Sequence, residues 1–137
     1  MAEVGERLVF SSFIFEHFPN GMCRAQVELE HQGGETFHGT AQGSGSHVGS
    51  MRTAALASVA ALEKAINPDA SFELHGVKAI SAFDSTIVIV SILAQTEGGP
   101  VQLVGSFVTG EDRERGAAVA VLNATNRYLE KDMFARS

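Results

Sequence analysis

Residues 33–66 read GGETFHGTAQGSGSHVGSMRTAALASVAALEKAI, and the apolar period changes once within them. Up to residue 41 the pattern alternates: Phe37 points one way while Thr36, His38 and Thr40 point the other, which predicts a strand over 35–41. Past the glycine-rich loop Gly43-Ser44-Gly45-Ser46 the period lengthens to about 3.6. Met51, Ala55, Val59, Leu62 and Ile66 then share one stripe, which predicts an amphipathic helix. Ala54, Ser58 and Ala65 flank that stripe and are small enough to let the helix lie close to a sheet. Asn67-Pro68 stops it, because a residue before proline is pushed out of the α region.

Working outward, Gly33-Gly34 supplies a hairpin turn and joins 35–41 to another alternating segment, RAQVELEH at 24–31. Its Val27 and Leu29 oppose Gln26, Glu28 and Glu30. Before it stands RLVFSSFIFEHF at 7–18, rich in Phe, Val and Ile and closed by Pro19-Asn20-Gly21, a strand that ends in a turn. The same order then recurs. A strand over 71–80 carries Gly76 as a bulge signal, a long apolar strand over 84–95 reads as central, and Gly98-Gly99 turns into a third strand over 100–108. Thr109-Gly110-Glu111-Asp112 leads into a second helix, capped by Asp112 or Thr109, with Ala118, Leu122, Thr125 and Leu129 inward. The chain is therefore read as one α+β domain, 1–137, made of duplicated βββα units with helices packed on antiparallel sheet. The units span 7–67 and 71–130, at an offset of roughly 65 residues. Gly33-Gly34 precedes Phe37-x-Gly39 in one unit, and Gly98-Gly99 precedes Leu103-x-Gly105 in the other.

Composition narrows the function classes. The 137 residues are 45% hydrophobic and 19% charged, too apolar for a disordered chain. The net charge of −6 argues against nucleic acid, which needs a basic stripe. Neither half carries a charged tail, since 1–68 hold four bases and seven acids and 69–137 hold six and nine. Cys23 is alone, which suits a reducing compartment, and acids at Glu3 and Glu6 stand where a secretory signal would be cationic. The longest strongly apolar run, 86–94, is about half of what a bilayer requires. A soluble cytoplasmic protein without membrane contact is expected.

These landmarks resemble the C-terminal regulatory domain of α-isopropylmalate synthase, shared with citramalate synthase, over about residues 7–129. RLVFSSFIFEHFPNGMCRAQVELEHQGGETFHGTAQGSGS resembles that domain's opening, and FELHGVKAISAFDSTIVIVSIL resembles its second opening, with Asp84 before the apolar strand. LVGSFVTGEDRERGAAVAVLNATNRYL resembles its last strand and helix, including Leu122, Asn123, Ala124, Asn126 and Arg127. The resemblance implies a non-catalytic homodimer that binds an end-product amino acid, leucine or isoleucine, at the subunit interface. The loops that open the two helices form that pocket. By position they are Gly43, Ser44, Gly45 and Ser46 in the first unit, and Thr109, Gly110 and Asp112 in the second. The family's first loop usually reads Gly-Asn-Gly-Pro, followed by a hydrophobic residue, Asp and Ala. Here Ser44 and Ser46 replace the Asn and Pro, and His47-Val48-Gly49-Ser50 follows. In the second loop and helix the usual Asp-Ile and Ala-Ser pairs give way, with Gly116-Ala117-Ala118 present instead. The implied chain is a regulatory module that serves a partner enzyme and lacks the catalytic barrel.

Read on their own, the candidate residues leave other roles open. A glycine loop before a helix offers free N–H groups and a positive dipole end to a carboxylate, with Arg52 nearby; it also serves as a connection capped by Ser46 or Ser50. The histidines (His17, His31, His38, His47, His75) lack metal-ligand spacing, although His31 and His38 are expected to face each other across the hairpin. Cys23 beside Arg24 has no identifiable base, so it reads as structural. Asn123 and Asn126 are poor helix formers, so their amides are expected to find partners on nearby backbone or across an interface. No cofactor or metal is expected. A purely structural dimerisation scaffold is the alternative function, and a small enzyme using His47 or Cys23 at an intersubunit cleft ranks behind it.

Overall fold

The computed structural model describes residues 8–66 and 71–128. Arg7, the Asn67-Pro68 stop and Leu129 fall outside them. The elements are β1 (Leu8–His17), β2 (Met22–His31), β3 (Thr36–Ser44), α1 (His47–Ala65), β4 (Ser71–Ala82), β5 (Ser85–Thr96), β6 (Gly99–Thr109) and α2 (Arg113–Tyr128). They form an α+β fold of two βββα units, with antiparallel sheets ordered β1-β2-β3 and β4-β5-β6.

Strand register makes the two units equivalent position by position. β1 carries a bulge between Phe10 and Ser12, and β4 carries one between Leu74 and Gly76, the glycine that the sequence marks. In the first sheet Phe13, Val27 and Gly39 stand abreast; in the second Val77, Val90 and Gly105 do. Both row glycines lie where a helix meets its sheet. A Cβ at Gly39 would collide with the Ala57 carbonyl and the Ala61 amide, and one at Gly105 with the Ala120 carbonyl and the Ala124 amide. Alanines and glycine let backbone lie against backbone here. This is the physical meaning of the recurrent Phe37-x-Gly39 and Leu103-x-Gly105.

One buried cluster joins both units. Val27 and Leu29 line it from the first sheet, Val88, Val90 and Ile92 from the second, and Leu62 and Val121 from the helices. Each helix packs on its own sheet, on the other helix, and on the first strand of the other unit. The cross-unit contacts are matched polar ties. Glu63 on α1 accepts from the Phe72 amide at the start of β4 (3.1 Å), and Asn126 on α2 donates to the Leu8 carbonyl at the start of β1 (3.2 Å). Ser58 also donates to the Ala118 carbonyl across the helix pair (2.9 Å). Because α1 touches three neighbours, it is buried from Ser50 to Leu62 on more than the single stripe expected, leaving Arg52 and Leu56 exposed within that span.

The helices run in the same sense. α1 runs back along β3, with Thr53 over Gly43 near the strand's end and Ala57 and Ala61 over Gly39 further back. β1 is parallel to β3, both being antiparallel to β2. The C-terminal part of α2 sits at the start of β1 through Asn126, while Arg115, nearer its N-terminus, lies over the Phe10 ring (5.2 Å). Both helices therefore begin at one edge of the molecule, and this places both strand-to-helix corners there.

Candidate functional site

The first corner is tighter than a loop. Gly43 and Ser44, read from sequence as loop residues, are the last two residues of β3, paired with Cys23 and Met22. The strand extends because β2 itself begins earlier than predicted, at Met22, and supplies ladder partners up to that point. Gly43 lies beneath Thr53, whose Oγ1 would stand 2.5 Å from an added Cβ. Only Gly45 and Ser46 connect strand to helix. The Gly45 amide donates to the Gly21 carbonyl (2.8 Å), which fixes the corner to the β1–β2 turn. Ser46 is the N-cap: its Oγ accepts from the Gly49 amide (3.0 Å) and its carbonyl from the Ser50 amide (2.7 Å). Ser44 Oγ accepts from the Ser46 amide and donates to Ser46 Oγ, both at 3.2 Å. The first-turn amides of His47 and Val48 have no partner among the described residues, as is usual at an uncovered helix start. No acid occupies this turn.

The second corner has the opposite electrostatic character. Thr109 ends β6, and its hydroxyl donates to the Asp112 carbonyl (3.2 Å). Asp112 is the cap: its Oδ1 accepts from the Arg115 amide (3.0 Å) and its carbonyl from the Gly116 amide (3.0 Å). Glu111 and Glu114 flank it in sequence, so three acids, interleaved with Arg113 and Arg115, stand at the start of α2. Gly110 is exposed, with open space where a Cβ would stand. All seven residues predicted from sequence are exposed or half-buried. They share an edge, but no hydrogen bond or ion pair among the described residues joins one corner to the other.

His38 stands across from Glu28, not His31; His31 lies three residues further along β2, hence on the opposite face, and pairs with Leu8 at the end of the sheet. Among the described residues no group of three His, Cys, Asp or Glu is placed to hold a metal. Cys23 is fully buried, and its thiol donates to the Ser44 carbonyl (3.3 Å), a structural role beneath the first corner. Asn123 donates to the Ser106 carbonyl (3.0 Å) and Asn126 to Leu8, so both amides bond backbone within the chain. Asn126 Oδ1 is buried without a partner among the described residues.

Sequence reading missed a depression of about 330 Å³ on the outer face of the first sheet, lined by Ser12, Ile14, Gln26, Glu28, His38 and Thr40. Alternation marks these positions only as the solvated side of three strands; their concavity comes from sheet twist, which no single strand carries. No helix among the described residues is long and apolar enough to cross a membrane. No protein-family model and no curated protein matches the chain.

Proposed function

We propose that this protein is a non-catalytic regulatory module of the cytoplasm. It dimerises and binds a small carboxylate-bearing metabolite of the amino-acid class at the edge formed by its two strand-to-helix corners. The observation that carries this reading is the opposite character of those corners. The start of α1 has unpaired His47 and Val48 amides and no acid, which favours a carboxylate. The start of α2 carries Glu111, Asp112 and Glu114 against Arg113 and Arg115, a net negative charge that favours an ammonium group. An α-amino acid presents both charges. The resemblance to the amino-acid-sensing domain of α-isopropylmalate synthase points to the same residues, Gly43 to Ser46 and Thr109 to Asp112. A ligand that prefers one quaternary arrangement would regulate an attached or associated enzyme by that difference in affinity.

The test is a thermal-shift screen against the twenty amino acids and common 2-oxo and dicarboxylic acids. A ligand at a hundred times its dissociation constant adds about 2.7 kcal/mol to stability. The expected result is stabilisation by an amino acid and none by the corresponding 2-oxo acid, which lacks the ammonium group. Asp112→Asn keeps an N-cap oxygen but removes the charge, so it should weaken that ligand about tenfold with little change in the unliganded melting temperature. No stabilisation by any compound would end the ligand reading and leave the chain a dimerisation scaffold.

A further inference from the structure

The two sheets turn different outer faces to solvent. The first presents Glu16, Gln26, Glu28, Glu30, His38 and Gln42, with Arg24 bound to Glu16, a net acidic surface on which the apolar Val9 and Ile14 are also exposed. Where the first has Glu16, Arg24, Gln26, Glu30, His38 and Gln42, the second presents Ile80, Ile87, Ile89, Leu93, Val104 and Val108, with Gly76, Ser91 and Ser106 between them. Val104 is 62% exposed and Val108 60%. Phe83, at the tip of the β4–β5 hairpin beyond the Ile80–Ile87–Val108 row, is 95% exposed. Ile80 is exposed as well, and Ile87, Ile89 and Leu93 are half-buried. Isolated exposed apolar residues need no explanation, whereas three exposed and three half-buried on one face of one sheet do.

We infer that a second copy of this chain docks on the outer face of β4-β5-β6, sheet against sheet across a two-fold axis. Charge favours a copy of itself over a charged partner. The face carries Glu73 and Lys78, one charge of each sign, while the whole chain is −6. Two such faces meet without net repulsion, whereas the outer face of the first sheet, with Glu16, Glu28 and Glu30 against Arg24, would oppose a net negative charge on each side. Area is sufficient. The 12 residues of β5 span about 40 Å, and three strands span about 14 Å, giving a footprint on the order of 550 Å² per copy. Two copies would bury about 1,100 Å², above the roughly 1,000 Å² that a specific interface needs. Face-to-face packing of twisted sheets is a common way of covering such surfaces. This inference rests on the dimer part of the proposed function and is independent of the ligand.

The experiment is mass in solution, by sedimentation or light scattering, for the full chain and single-site variants. The unmodified chain should have twice its 14.5 kDa mass at tens of micromolar. Val104→Lys and Val108→Lys should each weaken association at least a hundredfold and give monomers with an unchanged circular dichroism spectrum, since both side chains are exposed. Thr40→Lys, on the outer face of the first sheet, should leave the dimer intact. Should either lysine variant lose its fold, Val108→Thr removes only apolar contact and should still weaken the dimer about tenfold. Dimers that persist in every second-sheet variant would overturn this surface while leaving dimerisation standing. A monomeric unmodified chain, including one that captures some other protein on this face, would overturn both. Neither result bears on the amino-acid screen, which is read separately.

Discussion

The two βββα units agree in their skeleton and differ in how they fill it. Each has a bulge in the first half of its first strand, a glycine under its helix, and a helix side chain tied to the other unit's first strand. At the corner below the N-terminal turns, however, the allotment of space is reversed. In the first unit the strand residue is Gly43 and the helix residue above it is Thr53; in the second the strand residue is Thr109 and the helix residue is Gly116. What repeats is a volume shared between strand and helix, not the residue that occupies it. The polar ties follow the same logic, since Glu63 accepts from an amide where Asn126 donates to a carbonyl. The repeat is therefore clearer in space than in letters.

The strongest way to break the equivalence is to deny a helix its glycine. Gly39→Ala sets a methyl group against the carbonyl of Ala57 and the amide of Ala61, and Gly105→Ala sets one against Ala120 and Ala124. Backbone atoms cannot rotate aside, so helix and sheet must separate. Each substitution should cost about 3 kcal/mol or more, measured by urea denaturation. Equal losses at the two positions would support the equivalence; a loss at one site below about 1 kcal/mol would break it.

The reversed corner offers a finer test. Gly43→Ala places its Cβ 2.5 Å from Thr53 Oγ1, and the next nearest atom is Thr53 Cβ at 3.8 Å. The cost should be about 1–2 kcal/mol, within the usual range for overpacking. Thr53→Ala removes the clashing atom and introduces a better helix former. The double variant should therefore return to within about 0.5 kcal/mol of the unmodified chain, a coupling of about 1 kcal/mol. At the second corner Gly116→Ala meets side-chain atoms alone at its nearest contacts, Val88 Cγ2 at 3.2 Å, Thr109 Cγ2 at 3.4 Å and Thr109 Cβ at 3.5 Å. The gain in helix propensity offsets that crowding, so its net effect should be near zero. Absence of coupling between positions 43 and 53 in the denaturation curves would show that the corner relaxes by backbone movement.

Which parts of this were readable from the sequence follows from the range of the interactions. Alternation at 24–31 and the change to a helical period after residue 45 are local, and the elements appear where those periods place them. The caps were legible as pairs of alternatives, Ser46 or Ser50 and Asp112 or Thr109, because a cap is settled within a few residues, and the structure selects Ser46 and Asp112. Gly39 and Gly105 stood out as landmarks, but their partners at Ala57 and Ala120 are set by helix–sheet packing, which no local pattern contains. The end of β3 was misjudged for a similar reason: Gly43 and Ser44 look like loop residues and become strand only through Cys23 and Met22. The candidate site was legible as two loops. Their common edge depends on the parallel course of α1 and α2, and that in turn depends on the tie between Asn126 and Leu8.

The smallest expected effect concerns the first hairpin of each unit. In the first unit the connection is Phe18-Pro19-Asn20-Gly21, where Gly21 takes the positive φ (+85°) and Asn20 Oδ1 accepts from the Met22 amide (3.0 Å). In the second, Ala82 pairs with Ser85, and the two residues between them, Phe83 (φ +51°) and Asp84 (φ +61°), both lie in the left-handed region. That is the tightest hairpin connection, and Asn-Gly suits it best. Left-handed backbone costs an ordinary L-residue about 1–2 kcal/mol, and asparagine bears it more easily than phenylalanine. Phe83 is almost wholly exposed, so replacing it forfeits little buried area within the chain. Phe83→Asn should therefore stabilise the fold by about 1 kcal/mol. Gly21→Ala, by contrast, forces alanine into a conformation that glycine holds freely and should destabilise by about the same amount. The opposite signs would show that one hairpin is relaxed and the other strained. Denaturation at two protein concentrations separates fold from association. If Phe83 touches a second copy, the gain from Phe83→Asn shrinks as concentration rises through the dimer's dissociation constant; if it touches nothing, the gain stays constant.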